Sequence, residues 1–197
     1  MQLNKSLAKA IILIGLTLMM LPLTMALTQN MTGGYGVKLA SQQVDFRWFD
    51  TEGEMHQFSQ WQDGPTYVLM GFLSCSQICP LRIGQLAALD SWLDQQTFAT
   101  EPAVRFLFIT IDPENDTAAI RQQMIDGRSP RFVSAQLPAK ELTNLAQLLR
   151  EKSTVSGEEV NHIGKLFLFS AEATLERVYT QQHLSIEKLQ TDLAQLI

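Results

Sequence analysis

Cysteine is nearly absent from this 197-residue chain: there are two, and both lie in Cys75-Ser76-Gln77-Ile78-Cys79-Pro80. A small scaffold held together by many disulfides is thereby excluded, and the length is sufficient to bury a core without them. Charge is also sparse, at 18% of residues with a net of −5. No run of Lys or Arg interleaves with aromatics, so the electrostatic footprint of a nucleic-acid binder is missing. Repeats and low-complexity tracts are absent, and 46% apolar residues argue against disorder. What remains fits one domain of ordinary size with a short appendage.

Acidic residues are missing from the entire amino-terminal stretch, the first being Asp45. Lys5 and Lys9 precede a charge-free run from Ala10 to Val37. A positive start followed by an apolar stretch is read by the export machinery with the amino terminus kept inside, so the rest of the chain is carried across. Residues 1–27 are therefore expected to be a signal peptide or membrane anchor, and 28–42, with Gly33, Gly34 and Gly36, a flexible linker. Residues 43–197 are the expected folded domain, outside the cytoplasm, either periplasmic or tethered to the outer face of the inner membrane. Ala10 to Leu27 is about long enough to span a bilayer. Pro22, Thr24 and Ala26 resemble a cleavage region, and both fates stay open. Met19, Met20 and Met25 belong to this segment's hydrophobicity and Met31 lies just past it.

The folded part alternates strand-like and helix-like patterns. Val44, Phe46 and Trp48 alternate with polar neighbours, and a Thr51-Glu52-Gly53 turn leads to Met55–Phe58, which predicts a β-hairpin. The run Thr66–Phe72 is continuously apolar, as a strand covered on both faces must be. Leu81, Leu86, Leu89 and Leu93 recur at near-helical spacing, and a second buried strand follows over Val104–Ile111. Asp116 is placed to cap a helix from Thr117 to about Ile125. Phe132–Val133 forms a short strand, Ala139 to about Arg150 a helix, Lys165–Phe169 and Glu176–Tyr179 paired strands, and Ile186–Ile197 a closing amphipathic helix. A parallel βαβ followed by an antiparallel ββα is the thioredoxin order. The expected fold is therefore α/β, thioredoxin-like, with an added amino-terminal hairpin and an inserted helix.

Cys75 and Cys79 stand where a buried strand hands over to a helix. If Cys79 begins the helix, its free N–H groups and dipole favour thiolate over thiol, so low thiol pKa values are expected. A four-residue offset in a helix separates Cα atoms by about 6 Å, which a disulfide reaches only at its wide end and two sulfurs sharing one metal reach easily. Two soft thiolates favour copper(I) or zinc, and an imidazole as third ligand suits copper. Of His56, His162 and His183, His162 is the best placed. It precedes the strand Lys165–Phe169, in a loop that a thioredoxin-like sheet turns toward the cysteine helix. Thioredoxins put a cis-proline there, and this chain has none. His56 and His183 read as surface residues, and Asp112 as part of a turn. A peroxidase would need a Thr or Arg arrangement about the cysteine, for which Ser74 and Arg82 offer little.

The segments Phe72–Pro80, Phe108–Thr117, Pro130–Val133 and Asn161–His162 with its following strand resemble, in order and spacing, the Sco (SenC, PrrC) family of copper-binding proteins, over roughly residues 40–197. The resemblance implies a thioredoxin fold and copper held by Cys75, Cys79 and His162. It further implies a metallochaperone role at the CuA centre, with the cytochrome c oxidase subunit that carries it, or another exported cuproprotein, as partner. It also allows Asp112 to lie near the site. Two departures stand out: Ser76-Gln77 where the family usually has Pro-Asp, and Asn161 where it has Asp, both lowering local negative charge. The alternative function is an exported thiol–disulfide oxidoreductase using Cys75 and Cys79 without obligatory copper.

Overall fold

The computed structural model describes residues 35–96, 104–151, 153–156, 159–162 and 164–197, together with 14, 15 and 20. Residues 1–34 and 35–197 are separate units. The export segment, but for those three positions, and the first part of the expected linker lie outside the described residues. Among the described residues no helix is long and apolar enough to cross a membrane.

Among the described residues from 35 onward, ten strands and five α-helices follow in order: β1 Val37–Gln43, β2 Arg47–Phe49, β3 Met55–Gln57, α1 Phe58–Trp61, β4 Thr66–Gly71, α2 Ile78–Leu93, β5 Arg105–Thr110, α3 Ala118–Met124, β6 Phe132–Ala135, α4 Ala139–Leu148, β7 Ser153–Ser156, β8 Glu159–His162, β9 Leu166–Phe169, β10 Thr174–Tyr179 and α5 Ile186–Leu193. Six strands form one sheet in the order β1-β10-β9-β4-β5-β6. The centre runs parallel from β4 through β5 to β6, while β9 and β10 add antiparallel on the other side. That is the thioredoxin arrangement, extended by one strand at each edge.

Every residue of β4 is buried, and the pleat explains why its sequence shows no polar alternation. Val68 and Met70 point to one face, where they join Leu107, Ile109, Phe167 and Phe169 beneath α4, Trp48 of β2 and Phe58 of α1. Tyr67 and Leu69 point to the other, with Phe106, Phe108, Leu166 and Leu168 beneath α2 and α5. The hairpin expected from the Val44–Phe58 pattern forms as β2 and β3. Its closing residues seal the core, with Phe46 stacked on Phe58 at 4.6 Å and Trp48 edge-on to Trp61 at 5.1 Å.

Four expectations are corrected. Residues 37–42, expected within the linker, belong to β1, which pairs with β10. The chain is fastened just before it by the Asp192 carboxylate, which accepts from the N–H groups of Tyr35 (2.9 Å) and Gly36 (2.9 Å) and from the Tyr179 hydroxyl (2.9 Å). Gly36 serves close approach rather than flexibility, because a Cβ there would lie 2.8 Å from Arg177 Cβ and 2.8 Å from the Tyr179 ring. Asp116 does not cap α3; Thr117 has the extended backbone of a cap and its Oγ1 accepts from the Ile120 N–H. The last helix ends at Leu193. His162, expected in a loop, ends β8 in the β7–β8 hairpin, its backbone opposite Ser153.

Candidate metal centre

The loop from β4 to α2 is what brings the two cysteines together. Strand β4 stops at Gly71, and a turn closed by the Cys75 N–H donating to the Phe72 carbonyl (3.3 Å) sends the chain back toward α2. Gln77 stands at the cap position of α2 but its side chain makes no capping bond. The Cys75 sulfur does this work instead, accepting from the backbone N–H groups of Cys79, Gln77 and Ile78. Burial pushes the Cys75 thiol up, but those N–H groups and the Cys79 thiol outweigh it, so its pKa lies below the ordinary thiol value. Cys79 is the opposite case. It is 1% exposed, and burial, with the negative charges of Cys75 and Asp116 nearby, pushes its pKa up to about 12 against a single opposing bond from the Phe72 N–H. The helix terminus thus lowers one thiol rather than both, which corrects the expectation of two low values.

Asp116 holds this loop in place. It is 2% exposed, and its carboxylate accepts from the Leu73 N–H (3.0 and 3.2 Å) and from the Thr110 hydroxyl (2.7 Å). Burial raises its pKa above the usual carboxylate value, with Thr110 and Leu73 opposing. Asp112 lies in the turn after β5, where its carboxylate accepts from the Asn115 side chain at 2.8 Å.

His162 ends β8, its backbone paired with Ser153, and its imidazole lies outside the described atoms. Two residues on, Gly164 has φ 61°. Its carbonyl accepts from Arg82 Nε of α2 at 2.8 Å, and its N–H donates to Glu151 Oε1 at 3.2 Å. Among the described residues no three His, Cys, Asp or Glu side chains gather as a metal site. His56 is partly buried rather than a plain surface residue: its ring stacks on Trp48 and pairs with Asp50 at 2.7 Å. His183 contributes a carbonyl to the Tyr35 hydroxyl. Beside Cys79 runs a cavity of about 160 Å³ lined mainly by apolar groups, Phe72, Leu73, Pro80, Ile83, Gly84 and Met124, with Arg128 as its charged member.

Sequence reasoning missed Glu151, and it weighed Arg82 only as a weak sign of a peroxidase. Arg82 follows Cys79 by one helical turn and is wholly buried, so it is not presented to a peroxide as a peroxidase would require. A charged residue on the turn that α2 buries was the available signal. Chemically, the site offers two adjacent sulfurs, one poised as thiolate and one shielded from water. Soft donors in that arrangement fit a copper ion, and coordination would displace the Cys79 proton.

Comparison with known proteins agrees with the fold. The SCO1/SenC family model matches residues 37–197. The SCO2-like protein of Rickettsia felis is 27% identical over 89 residues, 45% of this chain and 42% of that protein. The mitochondrial SCO2 homolog of Bos taurus is 23% identical over 145 residues, 71% and 54% of the two chains. The chain thus spans about half the length of these curated relatives. Among solved structures, Arabidopsis thaliana ScoI with copper bound superposes with a TM-score of 0.65 at 22% identity, covering 75% of this chain and 92% of that one. Apo Sco1 of Thermus thermophilus superposes at 0.68 and 22% identity, covering 84% and 98%. At these identities the structural likeness is one of fold.

Proposed function

The chain belongs to the SCO1/SenC family, and from that premise we propose that it is a copper metallochaperone holding its cargo through Cys75, Cys79 and His162. The observation that carries this reading is the family match over residues 37–197, and the pairing of two unlike thiols at the start of α2, where the Cys75 sulfur receives backbone N–H groups and Cys79 is buried beside it, supplies the soft donors it needs. The thiolate of Cys75 makes first contact with the incoming ion. Cys79 then yields its proton and closes the chelate, and the His162 imidazole completes the set. Exchange of these ligands one at a time passes the ion onward without releasing it. The recipient in this reading is the CuA-bearing subunit of cytochrome c oxidase or another exported cuproprotein. The site works outside the cytoplasm, periplasmic or tethered to the membrane; activity of a strictly cytoplasmic reporter fused after Ile197 would refute that location.

Copper titration of the reduced chain beside His162→Ala tests the ligand set. Two thiolates still hold copper(I) in a linear arrangement but serve copper(II) poorly. The variant is therefore expected to lose copper(II) far more than copper(I). Equal binding of both states by parent and variant would remove His162 from the site.

The same asymmetry favours a second reading, thiol–disulfide exchange. The Cys75 thiolate attacks a partner disulfide, releasing one partner thiolate. Cys79, losing its proton, then attacks the Cys75 sulfur of the mixed disulfide, so the partner leaves reduced and a Cys75–Cys79 disulfide remains. His162→Ala should leave this rate nearly unchanged. If the variant bound both copper states like the parent and kept its rate of disulfide reduction, exchange would be the primary activity.

A further inference from the structure

Arg82 is fully buried in α2, on the turn directly after Cys79. A guanidinium is tolerated there only if its donors are taken. Nε donates to the Gly164 carbonyl (2.8 Å), Nη1 to Gln85 Oε1 (2.9 Å) and the Gln182 carbonyl (3.0 Å), and Nη2 to the Gln181 carbonyl. The planar fork thereby joins the cysteine helix to two other segments at once, which the point charge of a lysine does not do. Glu151, also buried, takes the Gly164 N–H from the opposite side. Gly164 is held at both ends in a left-handed conformation suited to glycine.

We propose that Arg82 and Glu151 are positioning residues for the copper site. They fix the chain at Gly164, two residues beyond His162, relative to the helix that carries Cys79. The third ligand is thereby pre-placed, and no backbone need be ordered when the ion arrives. This inference rests on the reading of His162 as a ligand. Neither residue touches copper; each acts through the backbone that presents the imidazole.

The test is a thermodynamic cycle on the full chain in detergent. Copper(II) and copper(I) affinities are measured by competition titration for the parent, Arg82→Lys, Glu151→Ala, Glu151→Gln, His162→Ala and the doubles with His162→Ala. Arg82→Lys and Glu151→Ala should each weaken copper(II) binding on the order of 10-fold, the scale of outer-shell support, with copper(I) little changed. Paramagnetic resonance of the copper(II) forms should show a weakened nitrogen coupling. In the His162→Ala background the added loss should fall below about 2-fold, because the group being positioned is gone. Glu151→Gln keeps a carbonyl acceptor for the Gly164 N–H and should bind like the parent. Should Arg82→Lys fail to fold, Glu151→Ala and its rescue by Glu151→Gln carry the comparison. An equal loss with and without His162, or no loss in either folded variant, would overturn the positioning role. Unchanged copper(II) affinity in His162→Ala alone would instead overturn the ligand assignment, and the inference with it.

Discussion

Replacing Asp116 by alanine should loosen the cysteine loop, and the structure allows the size of the effect to be worked out. The carboxylate accepts two contacts from the Leu73 N–H and one from the buried Thr110 hydroxyl. Alanine leaves both donors without their partner, and each such orphan costs about 1–3 kcal/mol. Against this, the parent buries a carboxylate whose pKa is raised by that burial, a cost the variant no longer bears. A net loss of about 2–3 kcal/mol is expected, which for a domain of this size lowers Tm by roughly 5–10 °C. Asp116→Asn should cost less than about 1 kcal/mol, since its carbonyl still accepts from Leu73 and the Thr110 hydroxyl can turn to pair with the amide. The pH dependence separates the two terms. A carboxyl whose folded pKa is raised gives the fold stability that is fully present below the unfolded value, near 3.8, and lost as pH rises through the folded one. Asp116→Asn should not show that loss. Urea unfolding of the reduced chain across acid to neutral pH reads both effects. Parent-like stability in Asp116→Ala would refute the loop-anchoring role.

Three further outcomes follow from the same geometry. Iodoacetamide at neutral pH should label Cys75 and spare Cys79, because the first is favoured as thiolate and the second held up to about 12; peptide mass mapping showing equal labelling would contradict the asymmetry. Oxidation should remove two hydrogens by forming a Cys75–Cys79 disulfide, and the oxidised chain should take up no stoichiometric copper until reduced. Gly36→Ala should destabilise by about 1–3 kcal/mol, since the added methyl meets Arg177 and the Tyr179 ring at 2.8 Å; unchanged urea unfolding would show that the β1 edge yields freely.

The central sheet was legible because burial on both faces leaves a direct mark on composition. Thr66–Gly71 and Arg105–Thr110 are apolar runs without alternation, and Leu86, Leu89 and Leu93 of α2 mark the face that covers them. Strand β1 was not legible, for the converse reason. As an edge strand it pairs on one side with β10, and Val37-Lys38-Leu39-Ala40-Ser41-Gln42-Gln43 carries no pattern that separates it from a tether. The glycines before it suggested freedom, whereas Gly36 is required by the contact of backbone with Tyr179. The β7–β8 hairpin is similarly short and polar. Asp116 was misplaced by one residue because Asp and Thr are both good caps; only the structure shows that the carboxylate turns inward to Leu73.

The site divides along the same line. Spacing alone could bring Cys75 and Cys79 to one helix terminus, and it does. Spacing could not make them different, because both sulfurs lie within the reach of the same dipole. Their divergence comes from depth: Cys75 is partly exposed and sits under three N–H groups, while Cys79 is buried, with one bond from the Phe72 backbone and the charge of Asp116 nearby. That difference bears on function in either reading. A chelate needs a thiolate to capture the ion and a second that gives up its proton only on coordination, and an exchange pair needs an attacking sulfur distinct from a resolving one. The cysteine pair therefore does not decide between copper transfer and disulfide reduction. The deciding group is the imidazole of His162, whose backbone is tied through Gly164 to the cysteine helix by Arg82. Disulfide exchange makes no bond to that imidazole, so the energetic coupling of the tie to copper(II) is the quantity on which the two readings part.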